Sequence, residues 1–219
     1  MVEAAARAGV PLMTAHTLRF DATIQSLLAS RSRIGRPQQL VLTSHIETKG
    51  RSVNHADGYG RRGALLEFGV HLLDLVRVLT GEEIETVQCA LNQIPPAHPE
   101  TFATVHLRTM SGMPCSVKVA RVAAGRVGRA EWIGSEGRLL ADWTNRHIRY
   151  TDSASRSEEW SVAPSQTVLT TLQEFLRALQ QHTSMPITGE DGCRAVEIAE
   201  ACYRSAEAGG RPMTLPLRA

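Results

Sequence analysis

Apolar positions recur first at helical spacing and later in alternation. Residues 1–9 (MVEAAARAG) predict a short helix stopped at Gly9, with Pro11 behind it. Residues 12–15 predict a short apolar strand, and 1–16 together look like the tail of a longer α/β unit. Phe20, Ile24, Leu27 and Leu28 set a helix over 20–31, ended by Gly35 and Pro37. A strand follows over 38–47, then a polar, glycine-containing loop over 48–62. The clearest helix is 63–80, where Leu65, Leu66, Val70, Leu73, Val76 and Leu79 make a broad apolar face and Gly81 ends it.

Alternation then takes over. Strands are predicted at 84–91, 101–110, 115–123, 128–134, 137–143, 147–151 and 158–162, with turn signals at 111–112, 135–137 and 152–153. Short connections between consecutive strands imply an antiparallel sheet. Helices at 165–182 and 190–208 and a last strand at 212–217 complete the chain. Helices and strands are segregated, so the class is α+β: a predominantly antiparallel open sheet with helices packed on one face, after a short N-terminal remnant. The division expected is 1–16 and 17–219.

Composition narrows the function classes. The chain has 219 residues, 42% of them hydrophobic, and a net charge of +2 with scattered basic residues, so a nucleic-acid partner is not expected. The four cysteines show no CxxC spacing, which excludes the usual zinc and redox motifs; no metal site is expected and a reducing cytoplasm is the expected location. Apolar runs are too short to span a membrane.

Candidate chemistry gathers on the 63–80 helix. Glu67, His71 and Asp74 stand at i, i+4 and i+7, which on an α-helix is one face. A carboxylate one turn from an imidazole would orient it and raise its pKa, suiting a general base that takes a proton from a hydroxyl. Gly69 between them costs about 1 kcal/mol of helix stability relative to alanine, and suggests a close approach there. A lone histidine on a helix is more often structural.

The run from Gly63 to Asp74 (GALLEFGVHLLD) resembles the active-site helix of the Gfo/Idh/MocA oxidoreductases, the glucose–fructose oxidoreductase and inositol dehydrogenase type. Three further stretches resemble the same family in the same order: 9–20 (GVPLMTAHTLRF), 132–142 (WIGSEGRLLAD) and the C-terminal 188–217. The resemblance implies a C-terminal substrate-binding and oligomerising domain, preceded by a truncated nucleotide-binding (Rossmann) domain. It makes His71 the catalytic histidine, with Glu67 beside it where the family usually has Asp. Asp74, Arg19, Asn54 and His55 are implied to contact substrate, and His16 and Arg19 to stand near the nicotinamide end of the cofactor. The implied parent uses NAD or NADP on a sugar, polyol or related hydroxyl compound. This chain alone is expected to be inactive and to bind no cofactor; the other reading is a non-catalytic ligand-binding or assembly module.

The family's Glu-Lys-Pro segment is absent, and the only lysines are Lys49 and Lys118. A literal GxGxxG occurs at 58–63, but a polar stretch rather than an apolar strand precedes it, so a dinucleotide site is not expected there. Val117, Val119, Ala120 and Val122 put apolar residues on both sides of one strand. With three tryptophans in the sheet region, this predicts a homodimer or tetramer through the sheet's outer face.

Overall fold

A computed structural model describes residues 1–47, 62–92 and 99–217. Asn54 and His55, and most of the 58–63 glycine run, lie outside the described residues.

Nine strands form one sheet in the order β8-β7-β6-β5-β1-β4-β3-β2-β9. In chain order they are β1 (Pro37–Glu47), β2 (Ile84–Asn92), β3 (Phe102–Thr109), β4 (Pro114–Val122), β5 (Val127–Gly134), β6 (Gly137–Asp142), β7 (His147–Asp152), β8 (Ser157–Ser161) and β9 (Met213–Thr214). Two antiparallel meanders, β2–β4 and β5–β8, are joined edge to edge by β1, which runs parallel to β4 and antiparallel to β5. Local pattern foretells the meanders but not the insertion of β1, because that pairing joins positions about 75 residues apart.

Burial follows the period-2 rule. Leu40 and Leu42 of β1, Val105 and Leu107 of β3, and Val117 and Val119 of β4 point into one core with Leu72, Leu75 and Leu79. The helices are α1 (Val2–Ala8), α2 (Ala22–Ala29), α3 (Val70–Thr80), α4 (Thr167–Gln181) and α5 (Gly189–Glu207). Among them α2 covers β6 and β7, α3 covers β1 and β4, and α5 covers β2. The α+β class with helices on one sheet face is therefore observed.

Several details differ from expectation. The 12–15 stretch makes, among the described residues, a single bridge, Met13 to Thr188, instead of a strand. α2 starts late, since the Asp21 carboxylate caps the amides of Thr23 and Ile24 and the preceding Thr17–Phe20 is a 3-10 turn. The helix expected at 165–182 packs mainly against that turn instead of on the sheet, leaving Val168, Leu169, Leu172 and Leu176 exposed. The tryptophans correct a premise of the outer-face argument. Trp132 is in the core, Trp160 donates from Nε1 to Ser26 Oγ of α2, and Trp143 lies over Gly128. All three belong to the helix-covered side, where rings of that size find apolar partners.

Candidate active site

The predicted 63–80 helix is two things in sequence. Leu65–Gly69 forms a π-turn, and α3 proper begins at Val70. Gly69 explains the fit: a Cβ there would stand 3.1 Å from Leu65 Cδ1 and 3.3 Å from Val119 Cγ1, so only glycine lets this turn settle onto β4 without displacing a neighbour. A π-turn holds one residue more than an α-turn and shifts the phase of what precedes it. The helix start is closed by a residue the sequence did not single out. Buried Glu100 accepts from the amides of Gly63 and Leu65 and from Tyr203 Oη. Those amides are what a phosphate would need, so the last glycine of the GxGxxG run is already committed to a carboxylate.

The phase shift separates the expected face. Glu67 pairs with Arg121 of β4, not with His71. Asp74 is fully buried and clamped by Arg19, whose Nε and Nη2 reach its two carboxylate oxygens at 2.7 and 2.5 Å. Asp191 of α5 takes the same guanidinium at 3.1 Å, and Arg77 lies 3.4 Å from Asp191. Asp191 was legible in principle, since Thr188-x-x-Asp191 is a capping box and is observed as one. Arg19 and Asp74 line neither of the two cavities that meet at His71.

His71 does reach open space. On one side it lines a polar cleft of about 410 Å³ with Ser44, Phe68, Arg126, Trp143 and Thr144, none of which the sequence marks as a site residue. On the other it lines an apolar groove of about 880 Å³ with Leu12, Met13, His16, Val70 and Val196. His16, placed near the site by resemblance, sits with its Nδ1 3.2 Å from His71 Nδ1, the two rings edge to face at 82°.

Burial lowers the pKa of His71, and neighbouring His16 lowers it further, with Asp74 opposing. That reverses the raised pKa expected from a Glu67 contact, because the carboxylate is elsewhere and the imidazole is desolvated. His71 is consequently neutral at pH 7 and able to accept a proton.

The GFO/IDH/MocA C-terminal domain description matches residues 22–140. The chain belongs to the Gfo/Idh/MocA family. Myo-inositol 2-dehydrogenase of Thermotoga maritima is 27% identical over 225 residues, which cover 94% of this chain. The chain spans 65% of the length of that curated relative. A crystal structure of a probable dehydrogenase from Thermotoga maritima matches 98% of the chain and 67% of its own length, at 27% identity and a TM-score of 0.78. An oxidoreductase from Agrobacterium radiobacter, solved with NAD+, L-tartaric acid and magnesium, matches 97% of the chain and 67% of its own length. It is 21% identical with a TM-score of 0.80 and shares the fold. Among the described residues no helix is long and apolar enough to cross a membrane.

Proposed function

We propose that this chain is the substrate-binding part of a nicotinamide-dependent oxidoreductase acting on a sugar, polyol or related hydroxyl compound, and that His71 moves the proton. One observation carries the reading: His71 is shared by a polar cleft and an apolar groove, so one imidazole faces both places where reactants would lie. The names of the curated relative and of the NAD+-bound structural neighbour point the same way. Residues 1–16 are then the end of a nucleotide-binding unit, as the sequence pattern predicts.

Oxidising a secondary alcohol breaks its O–H and C–H bonds. The proton passes to neutral His71, and the carbinol carbon becomes a carbonyl as the hydride leaves. A nicotinamide, when bound, supplies the hydride acceptor. The groove fits such a ring on this side: Leu12, Met13, Val70 and Val196 offer apolar wall next to the two histidines. The hydroxyls of Ser44 and Thr144 and the guanidinium of Arg126 give the cleft polar groups for a polyhydroxylated substrate. Arg19 and Asp74 act in this reading as supports, and Glu67 ties the π-turn to β4 through its pair with Arg121.

The test joins this chain to the nucleotide-binding domain of its Thermotoga maritima relative and screens polyols and sugars with NAD and NADP. Turnover that falls about 10²–10⁴-fold in His71→Ala supports the reading. Near-normal turnover in that variant would move the base elsewhere.

A further inference from the structure

The His16–His71 contact carries more than proximity. A neutral imidazole has one N–H and one bare nitrogen, whereas an imidazolium has two N–H groups. The two Nδ1 atoms stand 3.2 Å apart, and an attractive contact at that distance holds one hydrogen between them. Two imidazolium rings would point N–H at N–H, so in this geometry the pair carries at most one positive charge.

The direction of that hydrogen decides what His71 can do. If His71 Nδ1–H donates to His16, the lone pair of His71 is on Nε2, free for a substrate proton. If His16 donates, His71 holds its hydrogen on Nε2 and has no bare nitrogen left for a substrate proton. Asp74 Oδ2 lies 4.0 Å from His16 Nδ1, beyond hydrogen-bond reach but close enough to favour positive charge on that ring.

We infer that His16 is the positioning partner of His71: it accepts the Nδ1 hydrogen, fixes the tautomer that leaves Nε2 bare, and shares the charge when His71 takes a proton. The last step rests on the proposed function. It balances simply: the substrate proton forms the Nε2–H bond of His71, and the Nδ1 hydrogen moves to His16, so one charge passes to the ring nearer Asp74. The surroundings suit a single charge. Arg19 and Arg77 oppose it, while Asp74 and Asp191 favour it. Glu197 and Glu200 line the groove that both histidines line, and Asp21 and Arg126 line the cleft that His71 also reaches. Burial depresses protonation of both rings. A histidine that merely fills space would leave the tautomer of His71 unchanged when replaced.

Long-range ¹H–¹⁵N correlation of the histidine rings in this chain, followed by pH titration, reads both quantities directly. Wild type is expected to show His71 with an unprotonated Nε2 above pH 7 and a midpoint below the ordinary 6.5. In His16→Phe the tautomer preference of His71 is lost. In His16→Asn the side-chain carbonyl supplies an acceptor near the old Nδ1, so the tautomer returns. The same tautomer preference in His16→Phe as in wild type would overturn the inference. Should that variant not fold, a wild-type His71 that carries its hydrogen on Nε2 above pH 7 overturns it equally. These readouts need no turnover. A histidine pair coupled as described in a parent enzyme indifferent to His71→Ala would sink the proposed function while leaving the tautomer assignment standing.

Discussion

Arg19 and Asp74, 55 residues apart, form a two-pronged ion pair at 2.7 and 2.5 Å that ties the Thr17–Phe20 turn to α3. Asp74 has no exposed surface and the Arg19 side chain is 14% exposed. The pair therefore fixes where the N-terminal segment lies, and with it the position of His16 against His71.

Removing Arg19 takes from buried Asp74 its two-pronged partner and leaves only Arg77, at 3.8 Å, beside it. Arg19→Leu is expected to cost about 3–5 kcal/mol, read as a fall in urea midpoint at unchanged slope. The double variant Arg19→Leu/Asp74→Leu should recover much of that loss, because two apolar groups of similar size leave nothing unpaired. A single variant within about 0.5 kcal/mol of wild type would show the pair to be incidental.

This pair also marks the limit of what the sequence discloses. The meander strands were legible because alternation and turn residues are local properties, and 137–142 pairs with 129–133 as its Ser-Glu-Gly turn predicts. His71 stood out for its place on an amphipathic helix. The π-turn was not legible: it packs Gly69 closely on Val119 of β4, a contact between residues 50 apart. Glu67 was consequently assigned to the wrong neighbour. Arg126, Trp143 and Thr144 sit at strand ends, where no periodicity distinguishes a cleft wall from an ordinary turn.

Stability should fall as pH drops below neutrality. Burial lowers the pKa of both His16 and His71; for His16 Asp74 opposes and Arg19 assists, and for His71 His16 assists. The unfolded chain takes up these protons near 6.5, the folded chain only further down. The unfolded state binds more protons in between, so stability rises with pH across that interval and is fully present above it. A second loss is expected in acid. Burial pushes the Asp191 carboxyl up, but the Thr188 amide and Arg19 outweigh it and hold it at about 2, below the ordinary 3.8. That contribution is present above 3.8 and disappears as pH falls through about 2. Melting curves should decline below pH 6.5, and His16→Phe should flatten the first decline. A flat profile between about pH 7.5 and 5.5 would contradict this.

The isolated chain should bind neither NADH nor NADPH usefully. The amides of Gly63, Ala64 and Leu65 all donate to Glu100, so they are not free for a diphosphate. The apolar groove offers a wall for a nicotinamide ring but few charged groups for phosphates. Calorimetric titration should give no saturation at low micromolar nucleotide. A dissociation constant in that range would return the 58–63 run to consideration.

The chain is expected to self-associate through the outer face of its sheet. With the tryptophans on the helix-covered side, the case rests on smaller residues. Val41 of β1 stands opposite Glu131 of β5, which stands opposite Leu140 of β6, and Ile133 lies two positions along from Glu131. These apolar side chains are half-buried, and Phe102 at the start of β3 is 45% exposed. They alternate with Thr43, His45, Ser116 and Lys118, giving a mixed face of the kind found between subunits that meet without forming a continuous core. A face that meets its own copy yields a two-fold dimer most simply. The rival surface is α4, whose Leu169, Leu172 and Leu176 are all about half exposed. Light scattering across a concentration series separates the two. A discrete dimer or tetramer that Val41→Glu dissociates and Leu172→Glu leaves intact supports the sheet face. The opposite pattern would assign association to α4, and a monomer at high micromolar concentration would remove both.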